Sequence, residues 1–254
     1  MPKGFRKIRK RVRRGPKRAK MSFPSRVLQV LNRQRELKCG VPLVGNIADV
    51  RPDITALTRT TNTLPIMATI AQGTGENQRV GNQITLKKIV IRGYYKMALP
   101  TGSASASRFL IRNMIVRQRN INDAATITTG TVSAAYGLIL EPSNSYVGSV
   151  SDYMTPVNKD AFVVRKEYKR SVSTDYINTP ATNAEGLAES YVFFNYTMTF
   201  GKGKHLRFRT DIATTSEDFQ HFMMHSATTI GSVQVPPAGA ITFNYVATPY
   251  FYDV

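Results

Sequence analysis

Several residue types are scarce in this sequence, and each shortage excludes a class of protein. The single cysteine, Cys39, cannot form a disulfide within the chain, which excludes a disulfide scaffold and fits a reducing compartment. No apolar run approaches the roughly 18 residues of a membrane-spanning helix, so we expect no membrane insertion. No apolar stretch of the signal-peptide kind stands at the start, so we expect no secretion by that route.

Acidic residues are also scarce, and the resulting positive charge is concentrated in one segment. The 254 residues contain 35 Lys and Arg against 16 Asp and Glu, a formal net charge of +19. Residues 1–38 hold 15 of those basic residues and one acid, Glu36, which gives this segment +14 and leaves +5 for residues 39–254. Charge concentrated in this way calls for a polyanionic partner.

The first 20 residues are the most basic part of this arm, with eleven basic side chains and no acid. A block of like charge with little to bury is expected to be largely disordered when free. Lysines and arginines displace counterions from phosphates, which gives strong, salt-sensitive binding to nucleic acid without sequence preference. The predicted nucleic-acid-binding residues here are Lys3, Arg6, Lys7, Arg9, Lys10, Arg11, Arg13, Arg14, Lys17, Arg18 and Lys20.

Two further interpretations of the arm follow from its composition. Arg9-Lys10-Arg11 and Lys17-Arg18 are typical of a nuclear-import signal, a use that is compatible with binding nucleic acid. A solubilising tail is the plainer alternative, but eleven positive charges without one acid favour nucleic-acid binding.

Residues 22–38 combine basic side chains with the features of a short helix. Ser22-Phe23-Pro24-Ser25 supplies helix-start residues and Gly40 a stop, so a short helix is predicted over 25–38, ordered only when docked. Binding to a membrane surface is the alternative, although the apolar face is short and contains no Trp. Three more predicted nucleic-acid-binding residues lie here: Arg26, Arg33 and Arg35.

The rest of the chain has the pattern of β-strands. β-branched and aromatic residues alternate with polar ones, and clusters of Gly, Pro, Ser, Asn and Thr separate the runs. Helical periodicity is almost absent, so the pattern predicts an all-β sandwich or jelly roll. The eight predicted strands are 84–95, 109–116, 136–140, 162–168, 191–200, 206–210, 219–225 and 241–252.

Some predicted strands are basic. Arg207 and Arg209 share one face of their strand and Leu206 and Phe208 the other, so we add the two arginines to the predicted nucleic-acid-binding set. Basic residues on both faces of 164–170 favour an edge or surface strand. Five more arginines either line the same nucleic-acid-facing surface or form ion pairs with acids of the body: Arg92, Arg108, Arg112, Arg117 and Arg119.

No catalytic, metal or cofactor site is predicted. His221 and His225 have a spacing suited to metal ligands on a helix, but no third ligand is evident and their apolar neighbours favour a strand. Residues 73–81 lack the third glycine of a dinucleotide loop and the Lys-Ser/Thr of a P-loop, so we interpret them as a turn. Gly201-Lys202-Gly203-Lys204 fits either an anion-binding nest or a hairpin turn. We therefore expect no enzyme.

One stretch resembles a known family. Gln72-Gly73-Thr74-Gly75-Glu76-Asn77-Gln78-Arg79-Val80-Gly81-Asn82-Gln83-Ile84-Thr85, preceded by a basic arm, is similar to capsid proteins of small circular single-stranded DNA viruses. The segment 112–123 looks like the strand and turn that follow in that family. With the arm, the length and the strand count, the resemblance covers most of the chain.

The resemblance implies an arm over 1–38 and a shell domain over 39–254, a single eight-stranded antiparallel jelly-roll sandwich. It implies copies of the chain assembled into a small icosahedral shell, T=1, with the arm pointing inward onto viral single-stranded DNA. Sixty arms of +14 would supply about 840 positive charges, enough for a genome on the order of a thousand nucleotides. Entry through the host nuclear-import machinery would place the protein in the nucleus during assembly and in the virion afterwards.

Other functions fit parts of the same sequence. A nucleic-acid-binding module that forms no shell would distribute its basic and stacking residues over the fold, whereas here the charge lies in an arm. Small positive-strand RNA viruses have similar capsid proteins with a short basic arm, so the DNA assignment stays open. An enzyme with a basic tail is the last alternative, and it is disfavoured because the sequence shows no set of polar residues that would converge on a catalytic site.

Overall fold

The structure is a computed structural model that describes residues 36–48, 50, 63–97, 108–119, 139–141, 150–173, 190–216, 218–230 and 240–253. The chain divides into two compact units, residues 1–36 and residues 37–254. All the elements described below belong to the second unit. The arm residues up to 35 lie outside the described residues. The predicted helix over 25–38 is wrong for its described part, since Glu36 and Leu37 belong to no helix and Lys38 belongs to a strand.

The described part of the second unit contains nine strands and one short helix. In chain order they are β1 (Lys38–Cys39), β2 (Leu43–Ile47), β3 (Thr63–Pro65), β4 (Gln83–Met97), β5 (Arg108–Gln118), α1 (Val150–Met154), β6 (Phe162–Ser173), β7 (Ser190–Arg207), β8 (Phe222–Ile230) and β9 (Ile241–Asp253). None of the described helices is long and apolar enough to cross a membrane.

The strands form two antiparallel sheets, so the prediction of an all-β protein is confirmed. Sheet A has the order β1-β9-β4-β7, with β2 also paired to β9, and sheet B has the order β3-β8-β5-β6. The ladder between β4 and β9 joins the two central strands of sheet A, from the pair Ile84–Asp253 to the pair Met97–Ile241. The basic strand β6 is at an edge of sheet B, as predicted for the run 164–170.

The main core contains residues of both sheets. Alternate residues of β9 are buried, among them Phe243, Tyr245 and Phe251, and they pack with Ile111 and Ile115 of β5. The Tyr95 and Phe243 rings stack at 4.3 Å between centroids. Burying each such side chain stabilises the fold by about 1.5–3 kcal/mol, which makes this core the main source of stability.

A second, smaller core covers the other face of sheet B. Met114 and Val116 of β5 pack with Leu140, Val157 and Phe162. β5 is therefore buried on both faces, which explains why its sequence is an almost continuous apolar run rather than an alternating one.

Arg112 lies beneath this smaller core. The alternative in which it lines a nucleic-acid-facing surface is therefore wrong. The side chain has no exposed area. Its Nε donates to Glu167 Oε1 at 2.8 Å, its Nη1 donates to the Asp152 carbonyl oxygen, and its Nη2 forms an ion pair with Glu167 Oε1 at 2.7 Å. A buried cation needs such partners, since an isolated charge in the interior is strongly destabilising.

The prediction of separate strands at 191–200 and 206–210 is wrong, because β7 continues from Ser190 to Arg207 and residues 208–210 belong to no strand. Leu86 of β4 pairs with Lys204, while Lys88 pairs with Thr199, so residues 200–203 lie opposite Lys87 alone. Gly201 and Gly203 have φ angles of 46° and 107°. The glycines therefore form a wide bulge inside one strand, not a hairpin turn.

The first two strands are interrupted at the same level of sheet A. Pro249 of β9 has no N–H to donate to a neighbouring strand, and its carbonyl accepts the Gly40 N–H at 2.9 Å. β1 ends at Cys39 and β2 begins at Leu43, so the break lies beside this proline. The pairing of β4 is also irregular between Leu86 and Lys88, close to the same proline. The irregularities of neighbouring strands therefore lie side by side in sheet A.

Other predicted boundaries also differ from the structure; β6, for example, ends at Ser173 and not at residue 168. Within the predicted strand 136–140, Leu140 forms only an isolated bridge with Val157, and residues 136–138 lie outside the described residues. β8 begins at Phe222 rather than at residue 219. The sequence pattern missed β1, β2 and β3, which have only two to five residues each and so no visible alternation.

Residues 73–81 form a turn between strands, as predicted, and a buried arginine holds it in place. The Arg79 guanidinium donates to the carbonyl oxygens of Thr210, Asp211 and Ala213, and to Gly81 and Asn82 beside it. It also lies over the Phe208 ring at 4.3 Å. Burial lowers the pKa of Arg79, and Asp211 and Asp253 oppose that shift. The arginine of the family-like stretch therefore has a structural role.

The bulge in β7 generates a stability prediction with a matched pair of variants. A Cβ at Gly203 would lie 2.3 Å from Thr85 Cγ2 in a backbone conformation closed to alanine, whereas a Cβ at Gly201 would meet nothing within 4 Å. Gly203→Ala should lower the free energy of unfolding by about 3 kcal/mol or more, and Gly201→Ala by about 1 kcal/mol. Urea denaturation of both variants measures this, and equal losses would contradict the bulge.

Candidate nucleic-acid interface

The predicted nucleic-acid-binding residues of the arm lie outside the described residues. This concerns all eleven basic residues of the first 20, together with Arg26, Arg33 and Arg35. Their assignment stays a prediction from the sequence. The structure places the remaining two, Arg207 and Arg209, at the end of β7 and just beyond it.

Arg207 and Arg209 are both exposed, while Leu206 and Phe208 between and beside them are buried, so the predicted alternation is confirmed. Arg207 is held by Asp218, whose Oδ2 accepts the backbone N–H of Arg207 at 2.9 Å and its Nε at 3.3 Å. This bond raises the pKa of Arg207. Burial alone would raise the pKa of Asp218, but the bonds from Arg207 outweigh it and the net shift is downward.

The other arginines do not form one surface. Arg92 is exposed on sheet A, Arg108 donates to Ser171 at the edge of sheet B, and Arg119 donates to the Lys159 carbonyl. Arg117 is half-buried and its Nε lacks a hydrogen-bond partner. With Arg112 in the interior, these five arginines are separated by the fold.

Two exposed surfaces of the described residues are basic. The first is the edge strand β6, where Arg165, Lys166, Lys169 and Arg170 are all exposed. Glu167 partly offsets this charge through Lys169, at 3.4 Å, and through Arg112. An edge rich in lysine and arginine also resists pairing with stray strands, so this charge has a structural use as well.

The second surface is the outer face of sheet A, which we define by Lys88, Arg92, Tyr94, Phe193 and Tyr250. Lys88 Nζ lies 4.4 Å from the centre of the Tyr250 ring, and the Tyr94 and Phe193 rings lie 5.8 Å apart. Phe193 is 73% exposed. No carboxylate occupies an outward position of the described residues of β4, β7 and β9.

This outer face contains an open groove with a volume of about 650 Å³. Its walls include the apolar side chains Val44 and Val246, the amides Asn195 and Asn244, and the cation Arg92. Exposed aromatic rings beside cations are the components on which proteins stack the bases of single strands. Sequence reasoning missed this surface because its five residues come from three separate strands, and Val44 of the groove comes from a fourth. The outward positions of the alternating strands were the signal available.

The histidines lie in and beside a strand, as their apolar neighbours indicated. His225 is in β8 opposite Asn113, with its ring 5.6 Å from that of Phe243, and His221 immediately precedes β8. Both are buried. No group of three or more potential metal ligands occurs among the residues that the structure describes.

Comparison with known proteins gives no further assignment. No protein-family model matches the chain, and a search of curated proteins finds no match.

Burial of His225 predicts how stability depends on pH. Burial lowers the pKa of His225 from its usual 6.5 to about 4, so between these values the unfolded chain binds a proton that the folded chain does not. Stability should therefore fall as the pH is lowered below 6.5, by about 2 kcal/mol from this group at pH 5. Urea denaturation at pH 7 and pH 5 measures the slope, which His225→Gln should reduce. Parallel pH curves for the wild type and the variant would contradict it.

Proposed function

We propose that this chain is a viral capsid protein that assembles into a small icosahedral T=1 shell and packages a circular single-stranded DNA genome through its basic arm. Its partners are further copies of the chain, the viral DNA and the host nuclear-import machinery. The virion and, during assembly, the host nucleus are its locations. The observation that carries the proposal is the order of the strands in the two sheets.

The strand order supports a jelly roll. β1 and β2 both pair with β9 and are separated only by the break beside Pro249, so together they count as one interrupted strand. Eight strands then remain, and they pair first with last, second with seventh, third with sixth and fourth with fifth: β1/β2 with β9, β3 with β8, β4 with β7, and β5 with β6. That nesting is the pattern of a jelly roll, an architecture common in viral capsids.

The distribution of charge supports packaging. The arm of residues 1–38 has a net charge of +14, while the remaining 216 residues have only +5. Most of the capacity to bind a polyanion therefore lies in the arm and not in the folded shell domain. Binding through phosphate neutralisation needs no base recognition, which suits a protein that must accept a whole genome.

Exposed apolar side chains support self-association. Ile212, Phe193, Val44 and Met154 are each at least 70% exposed in the single chain. Large apolar side chains at this exposure are the kind that association covers, and a shell surrounds each chain with copies of itself.

A second candidate function is a nucleic-acid-binding protein that forms no shell. The outer face of sheet A favours it, since stacking rings and cations without carboxylates are found on single-strand-binding surfaces. The two functions differ in their products, because only the capsid protein forms closed particles around the nucleic acid.

The arm generates the main prediction. Replacing its eleven basic residues up to position 20 with Gln should leave a folded shell domain but remove most of the nucleic acid from purified particles, because phosphate neutralisation is lost. The measurement is nucleic acid per particle, from the ratio of absorbance at 260 and 280 nm and from extracted nucleic acid.

The matched control replaces the six arginines of the same segment with Lys, which keeps every charge. Its nucleic-acid content should stay close to that of the wild type. An unchanged content in the Gln variant would overturn packaging by the arm.

Arg207 and Arg209 generate a second test of the interface. Changing both to Gln should reduce the packaged nucleic acid if they contact it, because two exposed cations are lost. The matched control is Asp218→Asn, which disrupts the same ion pair without removing a cation. A normal nucleic-acid content in the double variant would assign the two arginines to ordinary surface.

A further inference from the structure

Three cations and a neutral histidine come together between the two sheets, where the edge strands β6 and β7 lie. We define this cationic cleft by Arg117 of β5, Arg165 of β6, Lys204 of β7 and His221 before β8. Arg117 follows Val116, whose partner on β8 is Phe222, and His221 precedes Phe222, so these two residues lie at the same end of the β5–β8 ladder. Both are two residues from the core residues Ile115 and Met223, on the same inward side.

Arg165 and Lys204 reach the same place from the edge strands. Arg165 falls at the irregularity in β6 opposite Ile115 and Val116, and its Nε donates to His221 Nε2 at 3.1 Å. Lys204 pairs with the buried Leu86, and its Nζ lies 5.6 Å from the centre of the Phe219 ring, which is itself 5.4 Å from the His221 ring.

The proximity of these groups shifts the pKa values of Lys204 and His221. Burial lowers the pKa of Lys204, and Arg117 and Arg165 lower it further. Burial, Lys204, Arg165 and Arg117, in that order, lower the pKa of His221 to about 3. Like charges therefore act on one another here, and His221 is neutral at physiological pH.

The described residues offer these cations little compensation. Asp218 is the one described carboxylate that acts on Lys204, and it is already bonded to the backbone N–H and guanidinium of Arg207. No ion pair joins Arg117, Arg165 or Lys204 to a described acid. Arg117 and Lys204 are half-buried, and such cations without counter-charges destabilise the fold unless an anion is bound.

Two buried nitrogen atoms in the cleft also lack acceptors. Because His221 Nε2 accepts the Arg165 N–H, the neutral ring has its proton on Nδ1, and that buried atom has no hydrogen-bond partner. Arg117 Nε is a second buried donor without a partner. Among the described residues, the cleft thus combines positive charge that has no ion pair with N–H donors that have no acceptor.

From this geometry we propose that the cationic cleft is a binding site for a phosphate group. A tetrahedral oxyanion presents several acceptor oxygens in different directions, which suits donors from three strands and from the residue before β8. Arginine and lysine are also the usual phosphate ligands. The site belongs to the folded body and does not depend on shell assembly. Its ligand is free phosphate or a phosphodiester of a nucleic-acid backbone, which share this chemistry.

The test is the melting temperature of the full chain in inorganic phosphate against chloride at equal ionic strength. At a phosphate concentration about ten times the dissociation constant, we expect a rise of about 3–6 °C. Lys204→Gln should abolish this rise, and Arg165→Gln, at the exposed edge, provides a second variant should the first fold poorly. The matched control is Lys202→Gln, two residues away on an exposed position with the same loss of charge.

The proposal is overturned if the wild type shows no phosphate-specific rise, or if Lys202→Gln loses as much of it as Lys204→Gln. A short oligothymidylate distinguishes the two sources of the ligand. A stabilisation by the oligonucleotide that Lys204→Gln removes supports a backbone phosphodiester, and one produced by inorganic phosphate alone supports free phosphate.

Discussion

The pairing of β4 with β9 is the constraint on which the rest of the structure depends. β9 holds β1 and β2 on its other side, and β4 holds β7, so every strand of sheet A is attached through this ladder. The inward residues of the same two strands, from Ile89 to Tyr95 and from Phe243 to Phe251, supply much of the main core. Register and burial reinforce each other here, because a slip of one residue would turn the whole apolar set outward.

The irregularities of sheet A have specific causes, and one of them positions Lys204 of the proposed phosphate site. Pro249 interrupts the pairing on one side of β9, and the bulge at residues 200–203 shifts β7 so that Lys204 enters the space between the sheets. Without that shift, Lys204 would not be the neighbour of Leu86. The outer face of sheet A, by contrast, depends only on regular alternation, which presents Lys88, Tyr94 and Phe193 together.

Runs of β-branched and aromatic residues were enough to predict β4, β5, β6, β8 and β9, and alternation with a period of two predicted the burial pattern of β7. It could not predict the position of Arg112, because a charge in a strand suggests solvent and only the tertiary structure brings Glu167 and the Asp152 carbonyl to it. The role of Gly201 and Gly203 was ambiguous for a physical reason. Turns and bulges both use residues with positive φ, and only the strand register distinguishes a bulge from a turn. The cationic cleft and the outer face unite residues from distant strands, so no local pattern contained either.

Under the proposed function, copies of this chain close into a shell around nucleic acid. Negative-stain electron microscopy of the full-length protein from a heterologous host, with the ratio of absorbance at 260 and 280 nm, tests it most directly. The proposal predicts uniform closed particles with a high ratio. Only monomers or small oligomers, at physiological salt and with nucleic acid supplied, would contradict it and favour a nucleic-acid-binding protein that forms no shell.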